Sequence, residues 1–104
     1  MSHFKKKPIL SEIDNVRIRR WDDHNCFIER EETYFSARDK REITGYKFKG
    51  YYGTLFDALR AIHTKGLLIE EESNQSIKSV LKQIKLSEKK IIDEIRRIES
   101  NAKN

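Results

Sequence analysis

Between Val16 and Tyr52 apolar and polar residues alternate with a period of two, and after Gly53 the apolar spacing becomes that of a helix. That change of period most constrains the fold. Alternation suits a strand with one buried face, whereas apolar residues three and four apart suit a helix packed along one side. Val16 and Ile18 alternate with Arg17 and Arg19, and the run ends at Trp21 before Asp22-Asp23-His24-Asn25, which has turn composition. Cys26 to Phe35 reads as a second strand, and Ser36 to Glu42 as a charged loop or hairpin tip. Ile43 to Tyr52 alternates again, placing Tyr46, Phe48 and Tyr52 on one side and Lys47, Lys49 and Tyr51 on the other. Three strands with short reversals form an antiparallel meander that needs a cover on its apolar face.

The cover follows at once. Thr54 is a helix cap with Asp57 three residues on, Leu55, Leu59 and Ile62 share a helical face, and Lys65-Gly66 ends the segment. A second helix is expected over residues 75–100, capped by Ser73 or Asn74. Its residues Ile77, Leu81, Ile84, Ile91, Ile95 and Ile98 follow heptad spacing, interrupted at Glu88. At about 1.5 Å per residue this helix runs about 39 Å, longer than a small sheet can cover. Its C-terminal half, Ile91, Ile92, Ile95 and Ile98, is therefore expected to pair with a second copy, giving a homodimer through Ile91, Ile95 and Ile98, or with a partner helix; the alternative is that the whole stripe folds back on the sheet and the first helix. The fold class is α+β: a three-stranded meander, a short packing helix and a long C-terminal helix. Residues 1–10 read as a flexible basic arm ahead of a single domain over 11–104, with Ile9, Leu10 and Ile13 packing onto the domain edge.

Composition narrows the function. Charged residues make up 38 % of the chain against 37 % hydrophobic, and 22 bases offset 17 acids, so the charge of +5 reflects no single cationic block. Cys26 is the sole cysteine, which excludes an internal disulfide and suits a reducing cytoplasm. No segment has the roughly 20 apolar residues of a membrane span. His3, His24 and His63 are too scattered for a metal site, no serine or cysteine lies in a nucleophile context, and the glycines form no phosphate-binding loop. The expectation is a binding protein with no catalytic residues, metal or cofactor. Arg17, Arg19, Lys47 and Lys49 form a basic outer face on which Tyr51 would stack on nucleic acid, although the same alternation also keeps an exposed sheet soluble. Trp21, Tyr34, Phe35 and Tyr51, with Arg17 and Arg19 beside them, are the candidate anchors for a protein partner, because aromatic and arginine side chains carry most interface energy.

The run Gly50-Tyr51-Tyr52-Gly53-Thr54-Leu55 leads to Ala58-Leu59, follows a strand with Asn25-Cys26-Phe27-Ile28 and precedes a charged C-terminal helix. This layout, over residues 16 to about 98, resembles small phage proteins from Gram-positive hosts. With its basic start and long last helix, the whole chain resembles the phage-encoded inhibitors of the host's replicative helicase loader. The resemblance implies binding to the loader's AAA+ ATPase domain in the host cytoplasm, blocking its assembly or its engagement of single-stranded DNA. No residue-level binding motif carries over with it. The alternatives are a small nucleic-acid-binding accessory protein and an inhibitor of another host protein.

Overall fold

A computed structural model describes residues 7–70 and 76–102. The chain is α+β, with one four-stranded antiparallel sheet followed by two helices. The strands are β1 (Ile9–Ile13), β2 (Val16–Arg20), β3 (Cys26–Ser36) and β4 (Arg41–Tyr52), and the helices are α1 (Leu55–Thr64) and α2 (Ile77–Ala102). Sheet order follows chain order, so the expected meander stands with four strands instead of three.

The additional strand is β1, which takes Ile9 and Leu10 out of the expected N-terminal arm. It returns through a two-residue turn at Asp14-Asn15, with Asp14 at a φ of 53°. Aspartate tolerates this left-handed conformation better than most residues do. Pro8 and Lys7 continue along β2: the Arg20 amide donates to the Pro8 carbonyl, and the Arg19 guanidinium donates twice to the Lys7 carbonyl. The expected arm over residues 1–6 lies outside the described residues.

One face of the sheet carries Ile13, Val16, Ile18, Cys26 and Ile28 against Ala58, Leu59 and Ile62 of α1 and Ile91 of α2. Thr54 caps α1 by accepting a hydrogen bond from the Asp57 amide at 3.0 Å, as expected from the sequence. At the other end the Leu67 amide donates to the Ile62 carbonyl past Gly66, whose φ of 65° is unfavourable for residues with a Cβ. Ser76 caps α2 through the Ser79 amide, while the expected caps Ser73 and Asn74 lie outside the described residues.

β3 and β4 reach well past their neighbours. β2 pairs with β3 only from Cys26 to Arg30, so the pairs from Glu31↔Tyr46 to Ser36↔Arg41 form a two-stranded ribbon beyond the sheet. The polar stretch 36–42 is thus strand at both ends, with a turn only over residues 37–40. A Thr33–Thr44 hydroxyl pair at 2.8 Å and Lys40 at a φ of 55° support this.

α2 is held to β1 by polar contacts at the edge of the core. Glu94 accepts hydrogen bonds from the buried Ser11 hydroxyl and from Arg97 Nε and Nη2 at 2.7 and 2.9 Å, while Lys90 meets Asp14 at 2.6 Å. Hydrogen bonding from Arg97, aided by Ser11, holds the Glu94 carboxyl below its ordinary pKa of 4.5 in spite of burial. A carboxyl with a depressed folded pKa stabilises the fold above its unfolded value, and that contribution is lost as pH falls through the folded value. Glu94→Gln should therefore be less stable than the native chain at pH 7. Denaturant melts at successively lower pH should show the gap closing below about 4.5.

Candidate interaction face

The sheet face opposite the helices carries a second cluster, built from alternate residues of β2, β3 and β4. Its centre is Phe27, fully buried although no helix lies over it. Trp21 meets the Phe27 ring edge-on at 5.9 Å, Tyr51 lies 5.5 Å from Trp21, and the Phe48 ring centre lies 4.6 Å from that of Tyr51 with the planes tilted by 55°. Phe48 and Tyr51 are each about half exposed, at 47 % and 51 %. Such rings, with one side on a fixed base and the other free, lose little conformational freedom on binding a partner.

The loop after β2 sets Trp21 in place. Asp22 accepts the amides of His24 and Asn25, each at 2.8 Å, and the Trp21 amide donates to the Asn25 carbonyl. The His24 amide first, then the Asn25 side-chain amide and backbone, keep the Asp22 carboxyl below its ordinary range. Lys7 completes the rim, with Nζ 5.0 Å from the Trp21 ring centre and 2.7 Å from the Trp21 carbonyl oxygen. Trp21, Asp22, Asn25 and Tyr51 enclose a shallow notch of about 290 Å³.

Beside the rings lies an ionic group. Glu29 Oε1 receives Arg17 Nε at 2.8 Å and Arg19 Nη1 at 3.4 Å, and the Arg17 guanidinium rests 3.5 Å from the centre of the Tyr46 ring. Arg19 and Glu29 are both buried, so they hold the face together and offer little charge to a ligand.

The structure divides the candidate anchors. Trp21 and Tyr51 meet on the open face, with Arg17 and Arg19 next to them but engaged by Glu29. Tyr34 and Phe35 lie on the ribbon, seven and eight residues along β3 from Phe27, about 25 Å at the rise of a strand. They point to opposite faces: Tyr34 sits under Lys47, 3.9 Å from its ring centre, and Phe35 is largely exposed. Phe27, Phe48, Tyr46 and Glu29 were missed as members of the face.

The basic outer face expected from Arg17, Arg19, Lys47 and Lys49 does not form. Ile28 pairs with Gly50 and Glu29 with Phe48, so Lys49 is the extra residue of a bulge, where Gly50 adopts a φ of 128°. One extra residue shifts the alternation. Phe48 and Tyr51 therefore share the open face, Tyr52 turns to the core side, and Lys47 and Lys49 turn to the face opposite Arg17, with Lys49 paired to Glu32 at 2.8 Å.

The residues of the expected dimer seam take part in the core of the single chain. Ile91 is 6 % exposed within the core, and Ile95 and Ile98 pack against it, so all three serve the chain's own fold. Ile91→Ala should cost about 2 to 5 kcal/mol in a denaturant melt. It should leave the sedimentation mass of the folded chain unchanged, whereas a halved mass would restore the seam as a dimer contact.

Elsewhere, His63 Nδ1 and Ser87 Oγ lie 3.0 Å apart between the two helices, and no carboxylate bonds to His63 among the described residues. A larger cavity of about 480 Å³ between the β1–β2 turn and α2 is crossed by the Asp14–Lys90 pair. Among the described residues no three His, Cys, Asp or Glu side chains group to hold a metal, and no helix is long and apolar enough to cross a membrane. No protein-family model, curated protein or solved structure matches the chain.

Proposed function

We propose that this protein is a small phage-encoded inhibitor that acts by binding rather than catalysis. Its open sheet face would dock on the AAA+ ATPase domain of the host's replicative helicase loader, in the host cytoplasm. Occupying that domain would block loader assembly or its engagement of single-stranded DNA and so stop host replication. The observation that supports binding is the pair Phe48 and Tyr51, each about half exposed, set with Trp21 around Phe27 on a face that neither helix covers. The choice of target rests on the layout around Gly50 to Leu55 and its resemblance to small phage proteins.

Capture from a nuclease-treated lysate of a Gram-positive host tests both parts. Recovery of the loader by the native chain, lost with Trp21→Ala, supports the proposal. Recovery of a different host protein through the same residues would replace the target. Binding that needs nucleic acid and weakens steeply with salt would replace protein inhibition with the nucleic-acid reading.

A further inference from the structure

The heptad stripe of α2 divides where the body of the protein ends. Its C-terminal part enters the core, whereas Ile77, Leu81 and Ile84 remain 82 %, 54 % and 37 % exposed. At about 100° per residue these three fall within an arc of about 60°. By the same count Ile84 lies only about 20° from Ile91, so the arc adjoins the face that meets the sheet and α1; what sets it apart is that α2 has no buried residue before Ser87. Exposed Glu88 interrupts the strip, so the apolar surface from Ile77 to Ile84 runs about 10 Å along the helix, with Ile92, 40 % exposed, beyond the break.

Lys78, Lys82 and Lys85 border this strip on the side away from the body. All three are exposed and none meets a carboxylate among the described residues, unlike Lys89 and Lys90, which pair with Asp93 and Asp14. A solvated helix face gains from charges of both signs at i and i+4; no acid stands four residues from any of these lysines, and Glu88, three residues after Lys85, makes no ion pair with it among the described residues. The strip and its flank together define what fits them.

We infer that the first half of α2 is a second docking surface, separate from the open sheet face, for an amphipathic helix of a partner protein. That helix carries leucine or isoleucine at heptad spacing and aspartate or glutamate along one flank. Its apolar residues cover Ile77, Leu81 and Ile84, and its carboxylates meet the three lysines. A second copy of the chain is a poor fit. Laid antiparallel about a two-fold axis, it would bring lysine flank against lysine flank. Laid parallel, it would drive the body of one copy into the other helix.

The test uses the full chain and two fluorescein-labelled synthetic helices of equal length, both with leucine at the heptad core, one flanked by glutamate and one by lysine. Fluorescence anisotropy at moderate salt should show the glutamate peptide binding at least about tenfold more tightly than the lysine peptide. Changing Lys78, Lys82 and Lys85 together to Glu should invert that order, and Leu81→Asp should weaken binding about tenfold or more. All four positions are exposed, so circular dichroism should show the fold retained. Equal binding of both peptides would overturn the inference. So would a concentration-dependent mass abolished by Leu81→Asp, which assigns the strip to a second copy. Tighter binding to anionic phospholipid vesicles than to the acidic peptide would likewise assign it to a membrane surface.

Discussion

Replacing Glu29 by alanine should cost the fold about 3 to 5 kcal/mol, which for a domain of this size lowers the melting temperature by well over 10 °C. The reason is the asymmetry of a buried ionic group. Glu29 is the carboxylate that Arg17 and Arg19 share, and Arg19 is only 5 % exposed, so removing Glu29 leaves a guanidinium in the sheet without its counter-charge. The two hydrogen bonds from Arg19 to the Lys7 carbonyl remain, but a carbonyl dipole does not offset a full charge. Arg17→Ala should cost much less, because Arg17 keeps a solvent-exposed edge and removes its own charge when it is replaced. Calorimetry on the two variants decides the matter: a loss below about 1 kcal/mol in Glu29→Ala would mean that the Lys7 carbonyl satisfies Arg19 unaided.

The second large effect concerns binding. On the proposed function, Trp21→Ala and Tyr51→Ala should each weaken binding to the proposed target, the loader's ATPase domain, by about 2 to 4 kcal/mol, or about 30- to 1,000-fold in Kd. Phe35→Ala should change it less than about fivefold. All three are aromatic and accessible, but Trp21 and Tyr51 rest on a ring already fixed at Phe27, whereas Phe35 stands on a ribbon with no layer behind it. Ordering Phe35 at an interface costs more and yields less. Titration calorimetry against the isolated ATPase domain measures all three, and a loss at Phe35 equal to that at Tyr51 would extend the contact along the ribbon.

What the sequence disclosed follows from how local each signal is. Thr54 with Asp57, the Leu55–Leu59–Ile62 face and Gly66 all lie within one helix, and the structure has α1 as expected from them. Val16 and Ile18 likewise announce a one-sided strand. β1 was missed because Ile-Leu-Ser-Glu-Ile does not alternate: its Ser11 is buried only because Glu94, distant in sequence, accepts its hydroxyl. The bulge at Lys49 has the same character, since a two-residue count runs on through Gly50 unless the pairing with Ile28 and Glu29 is known. The phase error it caused separated Tyr51 from Phe48 and put Lys47 on the wrong face. The division of the α2 stripe was hidden as well, because heptad spacing states which residues share a face and not where the neighbouring body stops. Trp21 and Tyr51 were identified from residue type, and their meeting depended on that same bulge.

The meander has a kinetic consequence. Each strand pairs with the next along the chain, so the sheet can assemble through three short loop closures, which carry little entropic cost. Docking α2 on β1 instead joins residues near opposite ends of the chain, as in Ser11 with Glu94 and Asp14 with Lys90, and the cost of that closure falls on the last step. Changes at Glu94 should thus leave the refolding rate almost untouched and act on the unfolding rate, so that this short run of polar contacts governs how long the native state persists once formed.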